Sequence, residues 1–352
     1  MERPPVDVES LTARLVGRFG PQVAQWCAAV PELLARLASR WGLVLGGPLP
    51  DGASSVTLRC RWPDGTPAVL KIGPERELLA EQAVMLGWFA PSGRVPAVLG
   101  GVRKVLCGVR GVRCVLSARR AEALVLDVLG LSPGGARVRA GRRGRRAGLC
   151  GHPLALDAAA GAMVLEEVVP GTPVAELPLP GPGPWAELMA ALHGAAPAAT
   201  TPRLLRGRME EAFARVGRRL AEPAVGARLD AAAWDRALGR CERLLDTETT
   251  TVLLHGDLHP GNVLDGGAGR GLVAIDPKAC AGDPCFDAVD FVVAGAGREG
   301  VEARCAGVAA AYGLDPDRLH AWSRVDAAFA AVARLGAGDE GPAVEELLAL
   351  TR

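Results

Sequence analysis

The sequence predicts an α+β protein of two lobes, a small N-terminal lobe built on a sheet and a larger, mainly helical C-terminal lobe. Three observations carry this. A chain of 352 residues is long for a single core, so two separately packed bodies are expected. Strand-like runs fall in the first half, and helical patterns dominate the second. The change lies in the proline-rich stretch "VVPGTPVAELPLPGPGPW", which places the boundary between residues 1–169 and residues 170–352.

Taken in order, "PQVAQWCAAVPELLARLASRWG" has apolar residues at helical spacing and stops at Trp41-Gly42. "LVLGGPLPDGASSVTLRCRW" reads as two strands joined by a loop of small residues. A turn at "PDGT" leads into a strand over 67–72 that presents Lys71 near its end. "PERELLAEQAVMLGWFA" follows as an amphipathic helix with Leu78, Leu79, Met85, Leu86 and Phe89 on one stripe, interrupted by Gln82 and edged by Glu81. "GAMVLEEVVPGTPV" is a further strand, with Glu166 and Glu167 ahead of a Pro-Gly turn. Beyond it, "PWAELMAALHGA", "LLRGRMEEAFARVGRRLAE" and "AAAWDRALGRCERLLDT" read as helices.

Composition excludes several function classes. With 49% apolar and 22% charged residues the balance is that of a soluble globular protein. No apolar run approaches the roughly 20 residues of a membrane span, and "MERPPVDVES" does not open as a signal peptide, so a cytoplasmic protein without a membrane partner is expected. Nine cysteines, an odd number with no C-x-x-C pair, point to reduced thiols and away from zinc or disulfides. A monomer is expected. Residues 101–150 hold twelve Lys or Arg against Glu122 and Asp127, a local +10 that leaves the other 302 residues at −9 under a total of +1. This Arg- and Gly-rich stretch lacks aromatics and helical period, so a solvated loop, partly helical at "AEALVLDVLG", is expected there and no nucleic-acid partner.

Chemistry concentrates in "TVLLHGDLHPGNVLDGG". His255 and His259 stand four apart, but Gly256 and Pro260-Gly261 disfavour the helix that a zinc hydrolase motif requires, and Gly256 occupies the place of its glutamate. Downstream, "NVLDGGAGRGLVAIDPK" has a hairpin pattern: a strand at Val263 and Leu264, a glycine turn through Gly271 and a return at 272–275. Antiparallel return makes Asn262 and Asp276 neighbours. An amide oxygen and a carboxylate at a loop mouth suit magnesium, which keeps waters and takes phosphate oxygens as its other ligands. Asp257 faces the same mouth, placed to accept a proton from a hydroxyl. With a strand lysine for nucleotide phosphates, this set of groups is that of phosphoryl transfer.

"LLHGDLHPGNVL" followed by "AIDPKACAGDPCFD" resembles the aminoglycoside phosphotransferase family, in the branch grouping streptomycin kinases with hydroxyurea phosphotransferases. The resemblance runs from about Trp41 to Gly100 and from Met163 to the C-terminus, and implies a protein-kinase-like fold. It implies Asp257 as catalytic base, with Asn262 and Asp276 on magnesium and the two histidines as scaffold that fixes the loop by hydrogen bonds. Lys71, steadied by Glu81, would meet the ATP phosphates; Ser54 and Ser55 of "PDGASSVT" would lie in the phosphate-covering loop. "MVLEEV", around Glu166 and Glu167, is similar to the hinge strand that pairs with adenine. Where the family passes through a short turn, about sixty residues intervene here, an insertion at 101–160.

A streptomycin-like acceptor carries guanidinium groups, so carboxylates are expected at its site, with Asp283, Asp290 and Asp326 as candidates. Asp287 is expected to cap the helix that starts beside it, and Glu345 and Glu346 to be solvated. The resulting expectation is ATP- and magnesium-dependent O-phosphorylation of streptomycin or a related cationic aminoglycoside, conferring resistance. Two rivals are a kinase for another small hydroxyl compound such as hydroxyurea and a catalytically impaired nucleotide-binding module.

Overall fold

The computed structural model describes residues 6–49, 54–98 and 156–352. Loop positions 50–53 and the insertion up to residue 155, including the helix expected at 121–130, lie outside the described residues. The chain divides into two compact units, Met1–Gly87 with Pro96–Glu167, and Trp88–Val95 with Val168–Arg352. Trp88–Val95, which a boundary after residue 169 leaves in the first lobe, pack with the second unit.

The first unit is an antiparallel sheet with helices. Its strands are β1 (Val44–Pro48), β2 (Val56–Arg61), β3 (Pro67–Ile72), β4 (Leu156–Asp157) and β5 (Ala162–Glu166), in the order β1-β2-β3-β5-β4. Strand alternation sorts the side chains between the two faces. Leu58 and Cys60 of β2, Leu70 and Ile72 of β3, and Val164 of β5 join one buried cluster with Leu11, Leu15, Leu34 and Leu37. Those leucines come from α1 (Val8–Phe19) and α2 (Val23–Trp41). The other face carries Val69, Lys71, Met163 and Leu165, all buried as well. Lys71 therefore sits inside the sheet, opposite Thr57 and Met163, and not at a solvated strand end.

Helix α2 ends as the sequence indicates: Gly42 adopts a left-handed φ of 70° and its N–H donates to the Ala38 carbonyl. Helix α1 is not among the sequence expectations. Its signals are Asp7, whose carboxylate caps the N–H groups of Glu9 and Ser10, and Leu11 and Leu15 one turn apart. Helix α3 (Arg76–Phe89) buries Leu79, Met85, Leu86 and Phe89 of the predicted stripe, and Gln82 with them, whereas Leu78 is only half-buried.

The second unit holds α4 (Pro182–His193), α5 (Leu205–Gly217), the single turn α6 (Pro223–Gly226), α7 (Ala231–Asp246), α8 (Phe286–Val293), α9 (Val301–Tyr312), α10 (Pro316–Gly336) and α11 (Pro342–Leu350). Two small antiparallel ladders complete it: β6 (Val252–Leu254) with β9 (Cys280–Gly282), and β7 (Val263–Asp265) with β8 (Leu272–Ala274). Trp185 stacks on Phe291 at 4.5 Å, and Phe213, Trp234 and Phe329 form a triangle with 4.8–5.0 Å between centroids. Glu346 corrects an expectation. Its carboxylate accepts from the N–H groups of Gly297 and Val301, both at 2.7 Å, and so caps the start of α9; Glu345 pairs with Arg228. No helix among the described residues is long and apolar enough to cross a membrane.

Candidate active site

Strand β6 ends at Leu254 and delivers His255, Gly256 and Asp257 into a loop that runs to the 3-10 turn Pro260–Asn262. A buried carboxylate shapes this loop. Asp287 Oδ2 accepts from the His255 N–H at 2.7 Å and Oδ1 from the Gly256 N–H at 2.9 Å, while His193 Nε2 lies 3.0 Å from Oδ2. Asp287 therefore clamps the loop from α8 and does not cap its own helix, contrary to the sequence expectation. Burial opposes its charge, but the His193 hydrogen bond, the neighbouring imidazoles and the Gly256 N–H outweigh that and hold the carboxyl below its usual range.

The histidines divide their work differently from expectation. His259 Nδ1 accepts from the Gly261 N–H at 3.1 Å and fixes the 3-10 turn. The His255 ring is fully buried beside Phe89 and its nitrogens make no hydrogen bond among the described residues. Burial keeps that imidazole neutral by lowering its pKa. His255 thus supports the loop through its backbone, which also accepts from the Lys278 N–H at 2.9 Å.

Gly256 explains why the loop can pass so close to Lys278. Its φ is +79°, and a Cβ there would lie 2.3 Å from the Lys278 carbonyl oxygen. Gly256→Ala should destabilise the protein by about 1–3 kcal/mol or more, from left-handed strain and that clash, and lower turnover with it; denaturant unfolding of the variant measures the cost.

Asp257 is engaged on both oxygens. Arg208 Nη2 from α5 donates to Oδ1 at 2.9 Å, Lys278 Nζ reaches Oδ2 at 2.7 Å, and Asn262 Nδ2 donates to Oδ2 at 3.1 Å and to the Asp257 carbonyl at 3.0 Å. Burial would raise the Asp257 pKa, but Lys278 and Arg208 together bring it below the ordinary carboxylate range. Sequence reasoning missed both cations. Lys278 stood in view in "IDPK", whereas Arg208 has no local signal.

The hairpin forms with Val263 opposite Ala274 and Leu264 opposite Val273. Ile275 N–H then donates to the Asn262 carbonyl at 2.8 Å, so Asp276 follows the residue paired with Asn262. Asp276 takes a φ of +57°, the only non-glycine residue among those described to do so. Arg94 and Arg270 tie the hairpin to residues 93–95: Ala274 N–H donates to the Arg94 carbonyl at 2.7 Å, and Arg270 donates to the carbonyls of Gly93 and Val95 at 2.9 and 2.6 Å. The donor set fits a magnesium ion. Asn262 spends its nitrogen on Asp257, which leaves its amide oxygen as a hard donor, and the Asp276 carboxylate, one residue beyond its backbone partner Ile275, is the second.

The acidic candidates separate into two kinds. Asp283 is buried; its carboxylate receives Arg318, Trp322 Nε1 at 2.7 Å and the Cys285 N–H at 2.9 Å, and so braces α10 against the start of α8. Buried and already bonded on both oxygens, it is withdrawn as a substrate contact. Asp290 on α8 and Asp326 on α10 are half-buried and interact with each other. Burial, with Asp257 and Asp287 adding repulsion, pushes Asp290 up to about 6, and burial with Asp290 raises Asp326 well above the usual range.

In the first unit, Lys71 Nζ donates to Gln82 Oε1 at 3.2 Å, so the residue after Glu81 is a partner that the sequence reading took only as a break in the stripe. Ser55 is buried, with its carbonyl accepting both Arg14 Nη groups at 3.3 Å, and Ser54 is half-buried. The Glu166 N–H is already taken by the Ala97 carbonyl at 2.8 Å and its side chain by the Ala97 N–H at 3.0 Å. That N–H is consequently spent inside the sheet and is not open to a base. Glu167 receives Arg59 Nε at 3.0 Å.

Residues 151–338, more than half of the chain, match the family described as aminoglycoside/hydroxyurea antibiotic resistance kinase. The chain belongs to this kinase family. Its members are phosphotransferases, and the chain is accordingly an enzyme of that class. Among curated relatives, it is 26% identical over 323 residues to the hydroxyurea phosphotransferase of Kitasatospora aureofaciens, covering 91% of this chain and 76% of the relative. It is 29% identical over 281 residues to the streptomycin 6-kinase of Streptomyces glaucescens, covering 79% and 72%. The fold is that of aminoglycoside phosphotransferase APH(4)-Ia, with a TM-score of 0.53 at 15% identity over 92% of this chain and 97% of that one. A choline/ethanolamine kinase family protein from Mesorhizobium loti shares it, with a TM-score of 0.51 at 18% identity over 92% and 99%. The kinase family thus agrees with the protein-kinase-like α+β fold that the sequence resemblance implies.

Proposed function

We propose that this kinase is an ATP- and magnesium-dependent O-phosphotransferase acting in the cytoplasm as a monomer on streptomycin or a related cationic aminoglycoside, conferring resistance to it. The observation that carries the reading is the Asp257 loop: a carboxylate held by Arg208, Lys278 and Asn262, with the hairpin bringing Asn262 next to Ile275-Asp276. Asp257 is the acceptor-orienting base. Asn262 and Asp276 would hold magnesium, which neutralises charge on the transferring phosphoryl group. Lys71, kept buried and oriented by Gln82, would bind the nucleotide phosphates, with Glu81 and the Ser54-Ser55 segment nearby in sequence. Glu167 is retained over Glu166 as the hinge position for adenine. A thermostable form of APH(4)-Ia whose structure holds ADP and hygromycin B, with a TM-score of 0.50 at 15% identity over 90% of this chain and 95% of that one, supports nucleotide and aminoglycoside use on this fold.

Asp290 and Asp326 support a cationic acceptor. Two half-buried carboxylates that repel one another are relieved by a guanidinium, which can bond both. Because Asp290 ionises near pH 6, kcat/KM for a cationic acceptor should rise as pH climbs through about 6, and Asp290→Asn should flatten that rise; a pH profile at saturating ATP checks it. The 26% identity to a hydroxyurea phosphotransferase keeps that small neutral acceptor as the second reading. Incubation with ATP, magnesium and either streptomycin or hydroxyurea decides between them. The expected product is streptomycin heavier by one phosphoryl group, and unchanged drug beside phosphorylated hydroxyurea would replace the first reading by the second.

A further inference from the structure

Helix α7 has two faces of opposite character. Ala233, Trp234, Ala237, Cys241 and Leu244 are buried. Arg236, Arg240 and Arg243 stand at i, i+4 and i+7, one stripe on the other side, where like charges repel along the helix. No acidic residue occupies a stripe position one turn from Arg240; its neighbours there are Arg236, Ala237, Arg243 and Leu244. A fourth guanidinium, Arg324 of α10, adds its charge to Arg240.

Two of the four are fixed by the chain end. Arg236 Nε donates to the Thr351 carbonyl at 3.3 Å, and Arg324 donates to the carbonyls of Leu350, at 3.0 Å, and Arg352. Arg240 differs: its Nη1 is buried and has no hydrogen-bond partner among the described residues, an uncompensated desolvated donor. Beside it opens a pocket of about 470 Å³ lined by Ala232, Asp235, Arg236, Gly239, Arg240 and Arg243. All six lie along one face of α7, and a Cβ on Gly239 would lie 3.5 Å from Arg243 Nη1.

We propose that this pocket is a second anion site, for a small multiply charged phosphate compound, separate from the groups around Asp257. Arginine forks match phosphate oxygens in a bidentate way, and one of the three in the lining, Arg236, is already fixed by Thr351, which lowers the ordering cost of capture. The lining has no aromatic ring for a base to stack on, which favours a phosphate chain over a nucleobase or nucleic acid.

Calorimetric titration of the full chain with inorganic pyrophosphate, at fixed ionic strength, tests this. Arg240→Gln and the exposed Arg243→Gln should each weaken one binding event by about tenfold, the loss of one charge-assisted fork, while a Lys71→Met chain retains it. Since Arg243 is exposed, its replacement keeps the fold, and thermal melting should show pyrophosphate stabilising the parent chain more than Arg243→Gln. Equal pyrophosphate affinity in the parent and both arginine variants overturns the proposal. So does equal stabilisation by sodium chloride at matched ionic strength, or a preference for single-stranded nucleic acid over pyrophosphate. None of these readouts depends on turnover, so they stand apart from the identity of the acceptor.

Discussion

Asp257→Asn should lower kcat by about 10²–10⁴-fold, the range for loss of a positioned general base, with little change in the KM for ATP. The substitution keeps one oxygen, for Arg208, but puts an amide nitrogen in place of Oδ2, which cannot accept from Lys278, from Asn262 or from the acceptor hydroxyl. Shape and packing are nearly unchanged, so the variant should fold and bind nucleotide. Steady-state kinetics at saturating ATP and acceptor measure the loss. A variant that turns over as fast as the parent would remove Asp257 from the role of base.

Asp287→Ala should destabilise the protein by about 3–5 kcal/mol, the usual effect of removing one member of a buried charged network. It would strand the N–H groups of His255 and Gly256 and one nitrogen of His193 in the interior. Denaturant unfolding at neutral pH measures the difference. Acid changes it in two stages. The His255 pKa is lowered by burial, so the unfolded chain takes up a proton there first, and parent stability should decline as pH falls below about 6.5. The Asp287 carboxyl is held low, so its own contribution is present above the unfolded value of about 3.9 and is lost as pH falls through its folded value. The gap between parent and Asp287→Ala should therefore narrow only in strong acid.

Local patterns carried much of this structure. Period-two strands, a glycine turn and helical stripes indicated the sheet, the β7–β8 hairpin and most helices, because each such signal lies within about a dozen residues. The approach of Asn262 to the end of β8 followed from the same hairpin, since antiparallel pairing leaves little freedom once the turn is located. What escaped depends on distant partners. Arg208 meets Asp257 across 49 residues, and neither position announces the other. Gln82, which the sequence shows only as a polar break in an apolar stripe, accepts from Lys71 because the helix turns it into the buried face. Asp283 and Asp287 sit in one short motif, where Asp283 reads as a substrate contact and Asp287 as a cap. Burial and the surrounding donors, Trp322 and Arg318 for one, His193 and the loop amides for the other, give them different work.

The clamp from Asp287 to the loop also sets an order of assembly. It closes over 31 and 32 residues, and β7, β8 and β9 all lie between its two ends. A contact of that span adds chain-closure entropy that only the folded intervening segment offsets. On refolding, the amide protons of His255 and Gly256 should gain protection from exchange after those of the β7–β8 ladder, a sequence that pulse labelling resolves. During synthesis the same geometry means that a nascent chain ending before α8 carries every residue of the "HGDLHPGN" loop and still lacks its working conformation. Competence would then arrive late, with the emergence of a single carboxylate.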